Sequence, residues 1–246
     1  MSALKHAACA MLALAFTGHG AMAQEAPRQV EVKGIKDPQM RSYRSVWAGL
    51  DAFDKHRALA PQADPVRFRI KPVATNQDAT IDGISLHIVG KGNAIPVSID
   101  QGQFTIARHQ AAYEDNADLM FNHKRHLFKT FAEVRTPGTP PNARRLGDLR
   151  LECQVNVAIV KKEAPLYIVA AASALFATTD WCKKLGIQMS LPTEQLSKVT
   201  MVHGERRKNV APGELSMGAL VDVSWPDDTL VEFEYLAGTA ASAGKG

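Results

Sequence analysis

The 246-residue sequence predicts a β-rich α+β fold, built from antiparallel sheets or a sandwich, with one N-terminal amphipathic helix and a second apolar helix. Three observations support this fold class. Several short stretches alternate between polar and apolar residues and are separated by Gly- or Asn-containing turns, which is typical of antiparallel strands. One stretch repeats apolar residues at helical spacing behind a capping residue. Another is apolar throughout and rich in alanine, which favours a buried helix, with a strand as the alternative.

Residues 1–23 have the pattern of a cleavable export signal. Lys5 provides a positive start, residues 7–16 form an apolar core, and Ala21-Met22-Ala23 places small residues where a signal peptidase cleaves. The processed chain would begin at Gln24 in the periplasm or outside the cell. The alternative is a buried N-terminal helix. The core is too short for a bilayer, which takes about 20 residues, and no transmembrane anchor is predicted after cleavage.

The first helix is predicted to begin at Pro38, behind Asp37 as its cap, and to end before Pro61. Asp37 can cap it, and Pro38 suits the first helical position. Apolar residues then follow at spacings of three and four, namely Met40, Tyr43, Val46, Trp47, Leu50 and Phe53. This stripe is expected to pack on a sheet, and a short strand around residues 30–35 is expected to precede it.

A first lobe, residues 24–135, is expected to combine this helix with a sheet. Alternation predicts four short strands, at residues 66–71, 84–89, 95–99 and 104–106. The turn Gly90-Lys91-Gly92 between two of them lacks the other glycine and hydroxyl positions of a phosphate-binding loop.

A Pro/Gly-rich connection, residues 136–148, is expected to lead into a second lobe, residues 149–237. Residues 149–160 alternate for a dozen positions and are predicted to form its longest strand. Residues 166–177 are the apolar, Ala-rich segment. Further strands are predicted near residues 186–191, 198–204 and 229–236, and a disordered tail at residues 238–246.

The two cysteines that remain after cleavage, Cys153 and Cys182, are predicted to form a disulfide. An isolated pair in an oxidising compartment is most simply a bridge. Closing a loop of about 30 residues stabilises a fold by roughly 3–4 kcal/mol in the chain-entropy description. A redox site or half of a metal site is the alternative, although neither cysteine lies in a Cys-x-x-Cys motif.

Motifs predict no catalytic residue and no cofactor. His123 and His126 are weak candidates for metal ligands, because residues three apart share a face of a helix. His109 and His203 are further candidates to join them in space. The zinc motif H-E-x-x-H is absent, and the two basic residues between His123 and His126 would repel a cation. A surface pair is therefore the favoured interpretation.

Two pairs of carboxylates are candidates for acid–base chemistry, Asp227 with Asp228 and Asp51 with Asp54. The first pair follows Trp225-Pro226 and has the composition of a turn. The second falls on the polar face of the predicted helix. Both pairs are expected to be structural.

Positive charge is concentrated in residues 123–150. Seven Lys or Arg residues and two acids give this region +5, whereas the rest of the chain after residue 23 carries −2. The candidate anion-binding residues are Lys124, Arg125, Arg144, Arg145 and Arg150. Anionic partners in an envelope include lipid head groups and lipopolysaccharide phosphates. A solvated strand face beside a loop is the alternative, and Arg206-Arg207-Lys208 forms a smaller cluster at an expected hairpin tip.

Several stretches resemble known protein groups. Residues 30–53, the run RTPGTPPNARRLGDLRLEC at 135–153 and the run SWPDDTLVEFEY at 224–235 resemble exported proteins of Gram-negative bacteria that carry no assigned activity. Residues 84–106 resemble the strand-turn-strand pattern of transthyretin-like and carboxypeptidase-regulatory β-sandwiches, with Gly102-Gln103-Phe104-Thr105-Ile106 at the glycine-plus-aromatic strand start. The second resemblance implies a sandwich and carries no function.

Together these observations favour a non-catalytic exported protein, an envelope-associated binding or interaction module whose partner is an anionic envelope component or a protein. Nucleic acid is not expected, because the chain after residue 23 carries a net charge of only +3. The alternative is a periplasmic enzyme, a hydrolase with a His-containing and metal-dependent site. A third interpretation is a subunit of a larger envelope complex, which would expose an apolar patch on the monomer.

Overall fold

A computed structural model describes residues 35–73, 79–92, 94–184, 196–215, 218 and 220–236. The predicted signal, the strand predicted near residues 186–191 and the predicted tail lie outside the described residues, as does all but the end of the strand predicted around residues 30–35. Within the described ranges, no helix combines the length and hydropathy needed to cross a bilayer.

The described residues form eleven strands and four helices. The strands are β1 (Pro38–Ser42), β2 (Arg67–Pro72), β3 (Leu86–Val89), β4 (Ile95–Val97), β5 (Gln103–Phe104), β6 (Asp118–Lys124), β7 (Phe128–Glu133), β8 (Ala143–Arg145), β9 (Leu196–His203), β10 (Arg206–Val210) and β11 (Leu230–Tyr235). The helices are α1 (Tyr43–Lys55), α2 (Gln110–Glu114), α3 (Leu146–Glu163) and α4 (Leu166–Leu175).

The strands make three antiparallel sheets, with the orders β1-β6-β3-β4, β5-β2-β7 and β10-β9-β11-β8. This confirms the predicted β-rich α+β class. Helix α3 contributes to all three apolar clusters. Leu151, Val155 and Ile159 join the cluster of the first two sheets, Leu146 and Leu149 join that of the third sheet, and Cys153 and Val157 pack with Trp181.

The predicted start of the first helix is wrong by five residues, because the helix begins at Tyr43 and not at Pro38. Residues 38–42 form strand β1, which pairs with β6 through contacts such as Met40 with Met120. Asp37 does not cap a helix, and its backbone is left-handed, with φ of 60°. Pro38 suits an edge strand as well as a first helical turn, because neither needs its missing N–H. The stripe from Tyr43 to Phe53 is buried in α1 as predicted.

The long strand predicted at residues 149–160 is also wrong, because this segment is helix α3. Eleven of its 18 residues are buried, so the helix has no broad polar face to reveal a helical period. Glu152 and Asn156 mimic the polar face of a strand, and together with Asp148 they lie four residues apart and are buried. A spacing of four is the repeat of one face of a helix.

The predicted disulfide is present, with the Cα atoms of Cys153 and Cys182 6.0 Å apart. The apolar segment after α3 forms a helix, α4, as favoured. The prediction that this helix is buried is wrong, because every residue of α4 is at least partly exposed. The segment 136–148 carries β8 and the first turn of α3.

Candidate functional site

The outer edge of strand β7 is closed by side chains of α3 instead of by another strand. Asp148 accepts a hydrogen bond from the Thr136 backbone N–H at 2.9 Å, just beyond the end of the strand. Glu152 accepts from the Val134 N–H at 3.2 Å, and Asn156 accepts from the Ala132 N–H at 3.1 Å. The acceptors on α3 are four residues apart and the N–H donors are two residues apart. These spacings agree, because four helical residues rise about 6 Å, close to the advance of two strand residues.

We call the three hydrogen bonds that Asp148, Glu152 and Asn156 accept the ladder. Arg144, which contacts Glu152, forms its interactions inside the protein. Arg144 is 3% exposed and lies 2.7 Å from the Glu152 carboxylate. Burial lowers the pKa of Arg144, but the charges of Glu152 and Glu133 outweigh it and the pKa is raised. Burial raises the pKa of Glu133, yet the hydrogen bond and charge of Arg69 at 2.7 Å, helped by Arg144, bring it below its ordinary value. Arg144 therefore remains a charged internal group.

The five predicted anion-binding residues occupy different parts of the molecule. Arg150 donates to backbone oxygens of residues 220, 222 and 225 and pairs with Asp227 at 2.6 Å, so it fastens one loop to α3. Arg145 is partly buried on β8 opposite Leu230. Lys124 and Arg125, at the turn between β6 and β7, are exposed. The structure does not bring the five together on one surface.

An open groove of about 680 Å³ lies where β1, the β6–β7 turn, β7 and the end of α3 meet. Strands β1 and β7 are the edge strands of their sheets in the part of the chain that the structure describes, so no described strand pairs with either on this side. The apolar lining of the groove comes from Met40, Val73, Phe128, Phe131, Ile159 and Val160. Ligand pockets typically hold about 300–1,000 Å³, so the groove has the size of a binding site for a small molecule.

The groove carries more cations than anions. Arg41, Arg125 and Lys129 line it, against one carboxylate, Glu163. Arg41 is engaged, because it bonds the Glu163 carboxylate at 2.8 Å and the Thr130 hydroxyl at 2.8 Å. Lys129 is exposed. Arg125 makes a 3.4 Å ion pair with Asp37, with exposed fractions of 49% and 64%, and such surface pairs contribute little. Lys129 and Arg125 can therefore receive an anion.

The histidines do not gather into a metal centre. No group of three or more His, Cys, Asp or Glu side chains suited to a metal is found among the described residues. His123 lies on β6 between the rings of Phe121 and Phe128, with ring centroids 5.2 and 4.6 Å away. Burial lowers its pKa, and its Nδ1 lies 3.0 Å from the Lys124 carbonyl. His126 is in the following turn and lines the groove.

The two further histidines named as candidate metal ligands lie on other elements. His109 precedes α2, and His203 lies 3.3 Å from Asp228 at the end of β9.

The two carboxylate pairs have structural contacts. Asp51 and Asp54 on α1 both bond Arg108, at 3.0 and 2.7 Å. Asp227 and Asp228 form the turn that precedes β11, as expected. Arg206, from the small basic cluster on the β9–β10 hairpin, stacks over the Trp225 ring at 3.7 Å.

Comparisons with protein families, with curated proteins and with solved structures find no match to this chain.

Sequence reasoning selected Arg125 and noted His126, but it missed the groove itself. Arg41 was assigned to a helix, and Glu163 lies more than a hundred residues away, so no local motif joins them. One signal was present. The polar residues at positions 148, 152 and 156 repeat every four residues, which is the helical spacing that would have placed α3 against β7.

Proposed function

We propose that this protein is exported and acts as a non-catalytic binding module of the bacterial envelope, and that its groove holds an amphiphilic anion. The observation that carries the proposal is the pairing of an apolar lining with Arg125 and Lys129. An apolar lining takes an acyl or aromatic body, and a few placed cations orient a phosphate or carboxylate head.

The composition of the groove disfavours a purely polar ligand. Phe128 and Phe131 on β7 and Val160 on α3 offer no hydrogen bond through their side chains. A small inorganic anion would meet the cations but leave this apolar surface uncovered. A neutral lipid would cover the surface but leave the cations without a partner. A molecule with both parts satisfies both sets of residues.

Isothermal titration calorimetry with dodecyl phosphate, below its micelle concentration, tests the proposal on the purified protein with its disulfide intact. We expect binding, and we expect Arg125→Glu/Lys129→Glu to weaken it at least tenfold, about 1.4 kcal/mol. Inorganic phosphate and dodecyl maltoside separate the contributions of head and tail. Both should bind more weakly than dodecyl phosphate.

The matched control is Lys91→Glu/Lys208→Glu, which changes the net charge equally at two exposed lysines outside the groove. It should leave the affinity within twofold of the unaltered protein. Equal loss in both double variants would show that net charge, and not the groove, holds the ligand, and the proposal would fail.

Export is tested separately, by expressing the full sequence in a Gram-negative host. We expect the protein in the osmotic-shock fraction with Gln24 as its N-terminus. Ala23→Phe should block the cleavage, because a large side chain replaces the small residue next to the cut, and Ala26→Phe should not. Protein that keeps residues 1–23 in the cytoplasm would refute export.

A further inference from the structure

Helix α4 presents an apolar surface to solvent. It has no charged residue, and Leu166, Tyr167 and Leu175 are 84%, 72% and 81% exposed. Its exposed residues are all apolar in character: Leu166, Tyr167, Ile168, Ala170, Ala171, Ala174 and Leu175. Contiguous exposed apolar surface on a folded protein marks a site of contact with a partner or a membrane.

One side of helix α4 packs on the rest of the protein, and its other side faces solvent. Its inner side, with Val169, Ala172 and Phe176, packs on the cluster of Cys153, Val157 and Trp181. Ser173 accepts a 3.1 Å hydrogen bond from the Trp181 indole N–H. The disulfide ties the segment that follows α4 back to α3. With one side of α4 held in this way, the other is held out towards solvent.

Cations flank this helix on both sides in the chain. Lys161 and Lys162 precede it, and Lys183 and Lys184 follow it. Lys162, Lys183 and Lys184 are exposed.

The two acids of the same stretch are bonded within the protein. Glu163 pairs with Arg41 at 2.8 Å. Asp180 accepts hydrogen bonds from the Cys182 backbone N–H at 3.2 Å and the Gln154 amide at 3.0 Å. The four lysines and two acids of residues 161–184 leave this stretch with a net charge of +2.

We propose that α4 is an interfacial helix that lies on a bilayer with anionic head groups. Its ten residues are about 15 Å long, too short to cross a membrane but suited to lying in its surface. The apolar side chains would enter the boundary between head groups and acyl chains. The flanking lysines would meet lipid phosphates, each raising the affinity by about fivefold.

Charge complementarity favours this occupant over a second copy of the chain. In a twofold dimer formed on α4, the same patch meets itself, so the lysines at its two ends would face identical cations. An anionic bilayer instead offers the opposite charge to all of them. The inference is independent of the groove's ligand, because it depends on a different element and on different cations.

Flotation with large vesicles of phosphatidylcholine, with and without phosphatidylglycerol, tests the inference. We expect the purified protein to bind the anionic vesicles and to be released by high salt. Leu166→Ser/Ile168→Ser/Leu175→Ser should lower the bound fraction at least tenfold. Lys183→Glu/Lys184→Glu should lower it on anionic vesicles by about 25-fold or more, from the fivefold per lysine. All five side chains are exposed, so circular dichroism should show unchanged folding.

Two control variants locate the contact. Val223→Ser removes an apolar side chain that is 93% exposed outside α4, and it should bind vesicles like the unaltered protein. Arg125→Glu/Lys129→Glu should also bind, which separates this inference from the proposed groove. Three results would overturn it: no vesicle binding, binding that survives the α4 substitutions, or a dimer in sedimentation that those substitutions dissociate.

Discussion

Replacing Asn156 tests the ladder that joins α3 to β7. The side chain accepts from the Ala132 N–H at 3.1 Å and donates to the Ala132 and Glu152 carbonyls at 3.4 and 3.0 Å. Asn156→Leu keeps the number and branching of the side-chain heavy atoms, but the buried Ala132 N–H loses its partner. An unsatisfied buried donor costs about 1–3 kcal/mol, and the loss of the two bonds that Asn156 donates adds about 1 kcal/mol. We expect a loss of about 2–4 kcal/mol.

Urea unfolding followed by tryptophan fluorescence measures this loss. Gln154→Leu is the matched control on the same helix, since Gln154 makes a part-buried bond to Asp180 at 3.0 Å. It should cost about 1 kcal/mol or less. Asn156→Ala adds a cavity and should cost more than Asn156→Leu. If Asn156→Leu unfolds within about 0.5 kcal/mol of the unaltered protein, the ladder does not close the edge of β7 in the way described.

Three further predictions concern stability. Cys153→Ser/Cys182→Ser should lose about 3–4 kcal/mol in urea unfolding, because the bridge closes a loop of 29 residues, and a loss below about 1 kcal/mol would contradict this. Gly147→Ala should lose about 3 kcal/mol or more, since its Cβ would lie 2.0 Å from a backbone oxygen, whereas Gly92→Ala, with nothing within 4 Å, should be nearly neutral in the same assay. Burial lowers the pKa of His123, so the unfolded chain binds more protons, and stability falls as pH drops below the ordinary value of 6.5. His123→Phe should lessen that fall in urea titrations between roughly pH 7 and pH 5, and an unchanged pH profile would contradict the assignment.

The sequence predicted well the elements whose burial is one-sided. Strand β2 and helix α1 each bury one face, so polar and apolar residues follow the period of the element. Helix α3 is buried on most sides, and its polar residues bond to a strand edge instead of water. The sequence of α3 therefore shows no broad polar face of helical period. The alternation of polar and apolar residues at 149–160 instead predicted a strand.

The exposure of α4 and the position of the groove were harder to predict, because both depend on contacts between distant segments. The apolar composition of residues 166–177 indicated a buried helix. A sequence does not show whether other elements will cover a helix, so the exposure of α4 could not be predicted. Arg144 and Arg150 appeared as members of a basic surface. Their acidic partners, Glu152 and Asp227, are 8 and 77 residues away, and only the fold brings them into contact.

Mapping backbone-amide NMR shifts during titration with dodecyl phosphate tests most directly whether the groove binds an amphiphilic anion. We expect the shifted amides to cluster in β1, in the turn from β6 to β7, in β7 and at the end of α3, and we expect Arg125→Glu/Lys129→Glu to weaken the affinity read from these shifts at least tenfold. Shifts centred on the β9–β10 hairpin with its Arg206-Arg207-Lys208 cluster, or no saturable shifts at all, would contradict it.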